Sequence, residues 1–227
     1  YHFFCPSRPE VRRFWLGVYK TLLDRYEIDG FQLDYIRYPV SKPDEKGYCY
    51  CDYCRNRFKT LHQADPIKLT ANENPELWEK WNQYRIEQID TFVAQVSQMI
   101  KADYPHIRLS ADVFPSIEHS LTVKSQNWSQ WLKNDWIDDV YIMAYSDKAE
   151  PVFEDTKYMI NQLNEGQNGY TGLGQFLGLT TEMLLLQIES TQKAKANGVS
   201  IFSWGYLKRN PQHLEAIKQG PFRNEAF

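Results

Sequence analysis

Apolar and polar positions follow two rhythms along this chain, one of period about 3.6 and one of period 2, and the two alternate almost throughout. The helical rhythm comes first: Arg8-Pro9-Glu10 opens a helix running to about Tyr26, with Val11, Phe14, Trp15, Val18, Leu22 and Leu23 on one stripe. A strand is then predicted in Asp29-Gly30-Phe31-Gln32-Leu33-Asp34-Tyr35-Ile36-Arg37-Tyr38-Pro39. Phe31, Leu33 and Tyr35 share one of its faces, and Gln32 and Asp34 fall on the other. A long helix runs from about Pro75 to Asp103, burying Trp78, Trp81, Ile86, Ile89, Phe92, Val93, Val96 and Ile100. Beyond it, strands are expected at Arg108 to Pro115, Asp139 to Ser146, Tyr170 to Leu177 and Val199 to Tyr206. Helices are expected at Trp128 to Asn134, Val152 to Asn164, Thr180 to Asn197 and Gln212 to Lys218, with Gly198 as a C′ glycine closing the third of these.

Strands separated by helices predict a parallel sheet with right-handed crossovers. Five strands are readable, near residues 31, 108, 139, 171 and 199, and Tyr1 to Cys5 reads as the tail of a sixth. A TIM-type (β/α)8 barrel needs eight strands and about 250 residues. The fold expected is therefore α/β, a barrel of this type lacking its first two βα units, over a single domain spanning residues 1–227. An open doubly wound sheet is the alternative, although no glycine-rich phosphate fingerprint follows any strand. Residues 40–77 break the rhythm with Pro43, Gly47, a short basic helix near Arg55 to Leu61 and polar sequence. They read as an insertion over one face, being too long for an ordinary connection.

Composition narrows the function classes. The formal net charge of -3 offers no basic balance for nucleic acid or anionic membranes. No apolar run approaches the roughly 20 residues of a membrane span. Aromatics make up 15% of the residues, which suits either a large aromatic core or a ring-lined cleft for sugars. Cys49, Cys51 and Cys54 form a C-x-C-x-x-C cluster, with Cys5 as the fourth cysteine. Two disulfides, a zinc site or free buried thiols all fit this pattern, and none of them makes the cluster catalytic. Neither a metal-binding His/Glu spacing nor a serine nucleophile elbow is present in the sequence, and no cofactor is expected.

Chain direction separates structural from functional carboxylates, because α/β barrels place their sites beyond the C-terminal strand ends. Asp29, Asp138 and Asp139 lie at strand starts and read as caps and turns. Asp34 lies late in its strand, in a segment expected to be buried, where an ionisable group is costly unless paired, hydrogen-bonded or at the strand's end. Asp112 lies late in Leu109-Ser110-Ala111-Asp112-Val113-Phe114-Pro115, with Ser110, on the face opposite Leu109, Ala111 and Val113. Polar residues thus point inward on two consecutive strands. Neighbouring strands stand about 4.8 Å apart, so such carboxylates suit the roughly 5–5.5 Å of a retaining glycosidase. A close pair drives the two proton affinities apart and supplies one ionised and one protonated group. Glu118 is the rival acid. Gln32, Arg37, Tyr38, Met143, Tyr145, Gln175 and Trp204, all at or near strand ends, are the expected substrate-lining residues.

At these residues the chain resembles the family 10 glycoside-hydrolase-like domain of bacterial envelope proteins. The resemblance is carried by Cys5-Pro6-Ser7-Arg8-Pro9-Glu10-Val11-Arg12, by Asp29 to Pro39, by Ser110-Ala111-Asp112-Val113-Phe114 and by Asp139-Val140-Tyr141-Ile142-Met143-Ala144-Tyr145. It implies a TIM-type barrel acting on a cell-wall glycan or exopolysaccharide, in an exported protein of the periplasm, envelope or exterior. Gly30-Phe31-Gln32-Leu33-Asp34 is also similar to the fourth-strand nucleophile segment of the α-amylase-like clan. By that likeness Asp34 takes the nucleophile position and Asp112 the acid/base position, where the amylase pattern has Glu. A carbohydrate-binding barrel without catalysis and a zinc-stabilised interaction module are the alternatives to a glycoside hydrolase.

Overall fold

A computed structural model describes residues 3–39 and 47–223. Pro43 and the start of the expected insertion lie outside the described residues, as does Tyr1. In chain order the elements are α1 (Pro9–Arg25), β1 (Gly30–Leu33), α2 (Asp52–His62), α3 (Pro75–Asp103), β2 (Arg108–Val113), the single turn α4 (Ile117–His119) and α5 (Trp128–Lys133). There follow β3 (Asp139–Met143), α6 (Ala149–Ile160), β4 (Asn168–Gly174), α7 (Thr181–Lys193), β5 (Gly198–Phe202), α8 (Trp204–Arg209) and α9 (Pro211–Gln219). Phe3 to Cys5 forms no strand. None of the helices among the described residues is long and apolar enough to cross a membrane.

The chain gathers into two compact units. One runs to Leu109 and resumes over Ile117–Ile137; the other holds Ser110–Ser116 and the chain from Asp138 onward. The first unit is organised by α3. Its Trp81, Ile89, Phe92, Val93, Val96 and Ile100 are buried at helical spacing, with Pro75 in the first turn where its missing N–H costs nothing. Asp90 on the same helix is half-buried and accepts hydrogen bonds from the Trp131 indole N–H at 2.6 Å and the Asn127 amide at 3.1 Å. Burial raises its proton affinity, which those two donors partly offset. Trp131 is fully buried, so Asp90→Ala strands its N–H; a loss of about 1–3 kcal/mol, read from the urea midpoint, is expected.

The apolar stripe predicted on α1 is real but mostly uncovered, since only Leu23 is buried while Phe14, Val18 and Leu22 are exposed. Helical periodicity shows which face is apolar and says nothing of what packs on it. β1 also departs from expectation. It ends at Leu33, and its alternation stops there because Tyr35 takes a left-handed backbone with φ of 56°. Gln32 and Asp34 are exposed, so the strand is not buried on both faces. At the other end of β1, the Asp29 carbonyl accepts the Arg108 N–H at 3.0 Å, as a strand-start residue should.

In the second unit β2, β3, β4 and β5 are parallel neighbours in that order, with Ser110 opposite Asp139, Tyr141 opposite Tyr170 and Tyr170 opposite Gly198. Ala111, Val113, Val140 and Ile142 are buried at alternate positions, leaving Asp112, Tyr141 and Met143 half-exposed on the opposite face. β4 packs closely because of its glycines: a Cβ at Gly172 would lie 2.9 Å from the Ile142 carbonyl oxygen. Buried Thr156 and Thr171 share a hydrogen bond of 2.9 Å between α6 and β4. Gln187 on α7 donates to the carbonyls of Ser146 and Lys148 at 2.9 and 3.2 Å. Asp139 accepts the Asn168 amide at 2.8 Å, in keeping with a structural role.

The last expected strand is shorter than its pattern. Alternation in Ile201-Phe202-Ser203-Trp204-Gly205-Tyr206 continues past Phe202, but the backbone turns into α8 at Trp204. Gly198 does not close α7, which ends at Lys193. It opens β5, where the Tyr170 ring lies 3.1 Å from the place a Cβ would take.

Candidate active site

In the first unit the candidate site is built around the residue that follows β1. Asp34 is exposed, and one of its carboxylate oxygens accepts the Tyr35 N–H at 2.7 Å. The left-handed backbone of Tyr35 is uncommon for an aromatic residue and costs about 1–2 kcal/mol. Two contacts hold it. The Arg37 N–H reaches the Tyr35 carbonyl at 2.8 Å, and the Arg37 guanidinium stands over the Tyr35 ring, 4.5 Å from its centroid. Arg37 also donates to the Tyr38 carbonyl at 3.2 Å. Burial lowers its proton affinity, an effect opposed by Tyr35 and Asp34. The guanidinium is thus a braced positive charge whose field includes the Asp34 carboxylate. Stored backbone strain of this kind is characteristic of functional sites.

Asp34, Tyr35 and Arg37 line a cavity of about 520 Å³. Its other walls are largely rings and aliphatic side chains, among them Phe3, Phe4, Trp15, Tyr19 and Phe92. That combination, an apolar cleft with a few charged groups, is what small-molecule and sugar sites present. Glu118 is exposed on the short turn α4. Tyr38 is a different case: it is buried, its N–H bonds the Lys124 carbonyl at 3.1 Å, and its ring lies among Ser7 and the cysteines. It belongs to the packing of that region and is removed from solvent.

Lys124 was not singled out by the sequence. It is fully buried, and burial, with a smaller contribution from the Arg37 charge, lowers its pKa to about 8. Nothing in the local pattern Ser120-Leu121-Thr122-Val123-Lys124 distinguishes it from a surface lysine.

The second unit carries Asp112, half-exposed as the penultimate residue of β2 and in register with Tyr141. Along the C-terminal ends of its other strands lies an aromatic shelf. The Tyr145 ring meets Phe176 edge-on at 5.1 Å and stacks near Phe202 at 6.0 Å, and Phe176 meets Phe202 edge-on at 5.9 Å. Phe202 and Trp204 are 56% and 63% exposed, far more than core rings would be. Met143, which precedes Tyr145 on the same rim, is half-exposed. Phe176 and Phe202 were not among the expected lining residues. The signal that could have found them is their place just past β4 and at the end of β5. Gln175 is fully buried and donates to the Leu179 carbonyl at 3.0 Å. It lines a separate cavity of about 420 Å³ with Tyr206, Arg209, Asn210 and His213.

One further set of chemically capable groups converges among the described residues. The sulfurs of Cys5, Cys49, Cys51 and Cys54 all lie within 4.8 Å of one another. The thiols share their protons unequally. Hydrogen bonds from Cys49 and then Cys54 hold Cys5 far below the usual thiol range, while donating to Cys5 pushes Cys49 up to about 12.

The model of the glycosyl hydrolase-like 10 family matches residues 2–181. Among solved structures the chain is similar to the catalytic domain of β-amylase from Paenibacillus polymyxa, with 12% identity and a TM-score of 0.58 over 92% of this chain and 65% of that one. It is also similar to bee venom hyaluronidase, solved in complex with a hyaluronic acid tetramer, with 9% identity and a TM-score of 0.54 over 92% of this chain and 75% of that one. Both neighbours are TIM-barrel glycosidases, and at these identities the likeness concerns the fold. The chain spans slightly less than two thirds of the β-amylase domain, at 65%. No curated protein matches it.

Proposed function

Because the chain belongs to the glycosyl hydrolase-like 10 family, we propose that it hydrolyses glycosidic bonds of a bacterial polysaccharide, a cell-wall glycan or exopolysaccharide, through Asp34 and Asp112. The observation that carries this reading is the position of Asp34. It stands directly past the last residue of β1, exposed, on a strained turn braced by Arg37, at the wall of a ring-lined cavity. Active sites of barrel enzymes gather at that end of the strands. Asp112 is the penultimate residue of β2.

In this reading Asp34 is the carboxylate that meets positive charge developing at the anomeric carbon, and Asp112 is the acid that protonates the leaving oxygen. Arg37 keeps the Tyr35 turn in place and with it the orientation of Asp34. Glu118 is the other candidate for the acid; Glu118→Gln beside Asp112→Asn assigns the role by which variant loses more turnover. A polysaccharide substrate implies an exported protein. The test is release of reducing ends from a panel of bacterial cell-wall glycans and exopolysaccharides, with binding to the same panel followed in parallel. Cleavage supports hydrolysis. Saturable binding with no cleavage of any bound glycan sinks it and leaves a binding barrel.

The binding alternative has one observation in its favour, the shelf of Tyr145, Phe176 and Phe202, followed in sequence by exposed Trp204, which offers ring faces to a sugar. In either case Trp204→Ala and Phe202→Ala are expected to weaken oligosaccharide affinity. A ring contact worth about 0.5–1.5 kcal/mol gives a rise in Kd of roughly 2- to 12-fold per ring, read in a hydrolase as the same rise in KM with kcat nearly unchanged.

A further inference from the structure

We propose that Cys5, Cys49, Cys51 and Cys54 hold one zinc ion in a closed tetrathiolate site that fastens the segment after β1 to the start of the chain. The sulfurs converge from two distant stretches. Cys5 Sγ lies 3.4 Å from Cys54 Sγ, 49 positions along the chain, and 3.8 Å from Cys51 Sγ, while Cys51 and Cys54 are 3.6 Å apart. A tetrahedron with Zn–S bonds of about 2.3 Å has S···S edges of about 3.8 Å, so the thiols already stand at its corners. Two disulfides would instead bring each sulfur to about 2.05 Å from one chosen partner. Here no pair is singled out, for Cys5 approaches Cys51 and Cys54 alike.

The surroundings are those a metal thiolate needs. The Ser7 N–H points at the Cys5 sulfur and the Cys51 N–H at the Cys49 sulfur. The Ser7 hydroxyl lies 3.2 Å from the Cys54 sulfur, and the Arg8 guanidinium faces Cys51. Such donors orient ligand sulfurs and spread the charge of four thiolates around one dication. Beneath the sulfurs lies a separate apolar cluster in which Cys54 is buried with Phe58, Leu69, Trp81 and Tyr84. Cys51 is the residue before α2 and Cys54 sits in its first turn, so the helix fixes their spacing. Four protein ligands leave no open position for substrate, which marks the site as structural. An all-sulfur tetrahedral set suits zinc or iron, and zinc adds no redox chemistry to a hydrolytic fold.

The zinc site stands independently of hydrolysis, and its test does too. Protein purified without chelator from zinc-supplemented medium is analysed for metals by mass spectrometry, and its thiols are counted after denaturation without reductant. One zinc and four thiols per chain are expected, with zinc falling to background in Cys49→Ser and Cys51→Ser. Should those variants fail to fold, cobalt(II) exchange into the wild-type protein reads the same site through the visible absorption of a tetrahedral thiolate complex. Any of three results overturns the assignment: two disulfides with no metal, four free thiols that take up neither zinc nor cobalt, or iron at one per chain.

Discussion

Asp34→Asn is expected to cut glycan hydrolysis by about 10²–10⁴-fold, the range for removing one carboxylate that acts in the transition state. The change keeps the shape of the side chain, and the amide oxygen still accepts the Tyr35 N–H that the carboxylate accepts at 2.7 Å. Folding should therefore hardly change, and the loss should appear in kcat and kcat/KM together, as for an interaction made only in the transition state. Asp29→Asn is the matched control. Asp29 lies on the same segment, is also exposed, and contributes its backbone carbonyl to Arg108 at the opposite end of β1. Its activity should stay within about 2-fold of wild type, since a surface change of this kind is usually worth under 0.5 kcal/mol.

Trp81→Ala carries the largest expected stability effect, a loss of about 3–5 kcal/mol, out of a typical total of about 5–15 kcal/mol. Trp81 is fully buried and joins three aromatic partners. It stacks on Tyr84 at 5.3 Å and 11°, meets Phe58 edge-on at 5.2 Å, packs on Tyr50 at 5.3 Å and donates its indole N–H to the Tyr50 hydroxyl at 3.2 Å. The cavity left behind adds to the lost transfer energy. Trp78, one turn earlier and only half-buried, should cost clearly less when truncated. Chemical denaturation of the two variants beside wild type measures the difference.

Much of this architecture was legible because pattern and length agreed. Helix α3 was readable to its ends, Pro75 and Asp103, from eight large apolar residues at helical spacing. The buried apolar face of β2 followed from strict alternation around Leu109, Ala111 and Val113. What failed had local physical causes. The end of β1 depends on a left-handed tyrosine, a conformation that no side-chain pattern announces. Trp204 and Tyr206 continue a strand-like alternation, yet six residues of helix are too short to show their own period. Tyr1 to Cys5, read as a strand tail, is too short to show any period at all, and its described part, Phe3 to Cys5, forms no strand.

The site was legible to a different degree. Asp34, Arg37, Tyr145 and Trp204 were expected from strand direction; Asp34 and Arg37 line the cavity of the first unit, and Trp204 is exposed. Tyr38 failed because a residue after a strand end can turn into the core as readily as out of it. Buried Lys124 gave no sign, because burial of a lysine depends on neighbours distant in sequence. The cysteines illustrate the same limit: spacing joined Cys49, Cys51 and Cys54, while only the fold brings Cys5 to them.

The central claim is that two carboxylates at late strand positions perform hydrolysis. Its most direct test is the rate of reducing-end release from a cleaved bacterial polysaccharide, measured side by side for wild type, Asp34→Asn and Asp112→Asn with matched melting curves. The account predicts that both variants fold as wild type does and that each loses about 10²-fold or more in turnover. Turnover unchanged in both variants would contradict it.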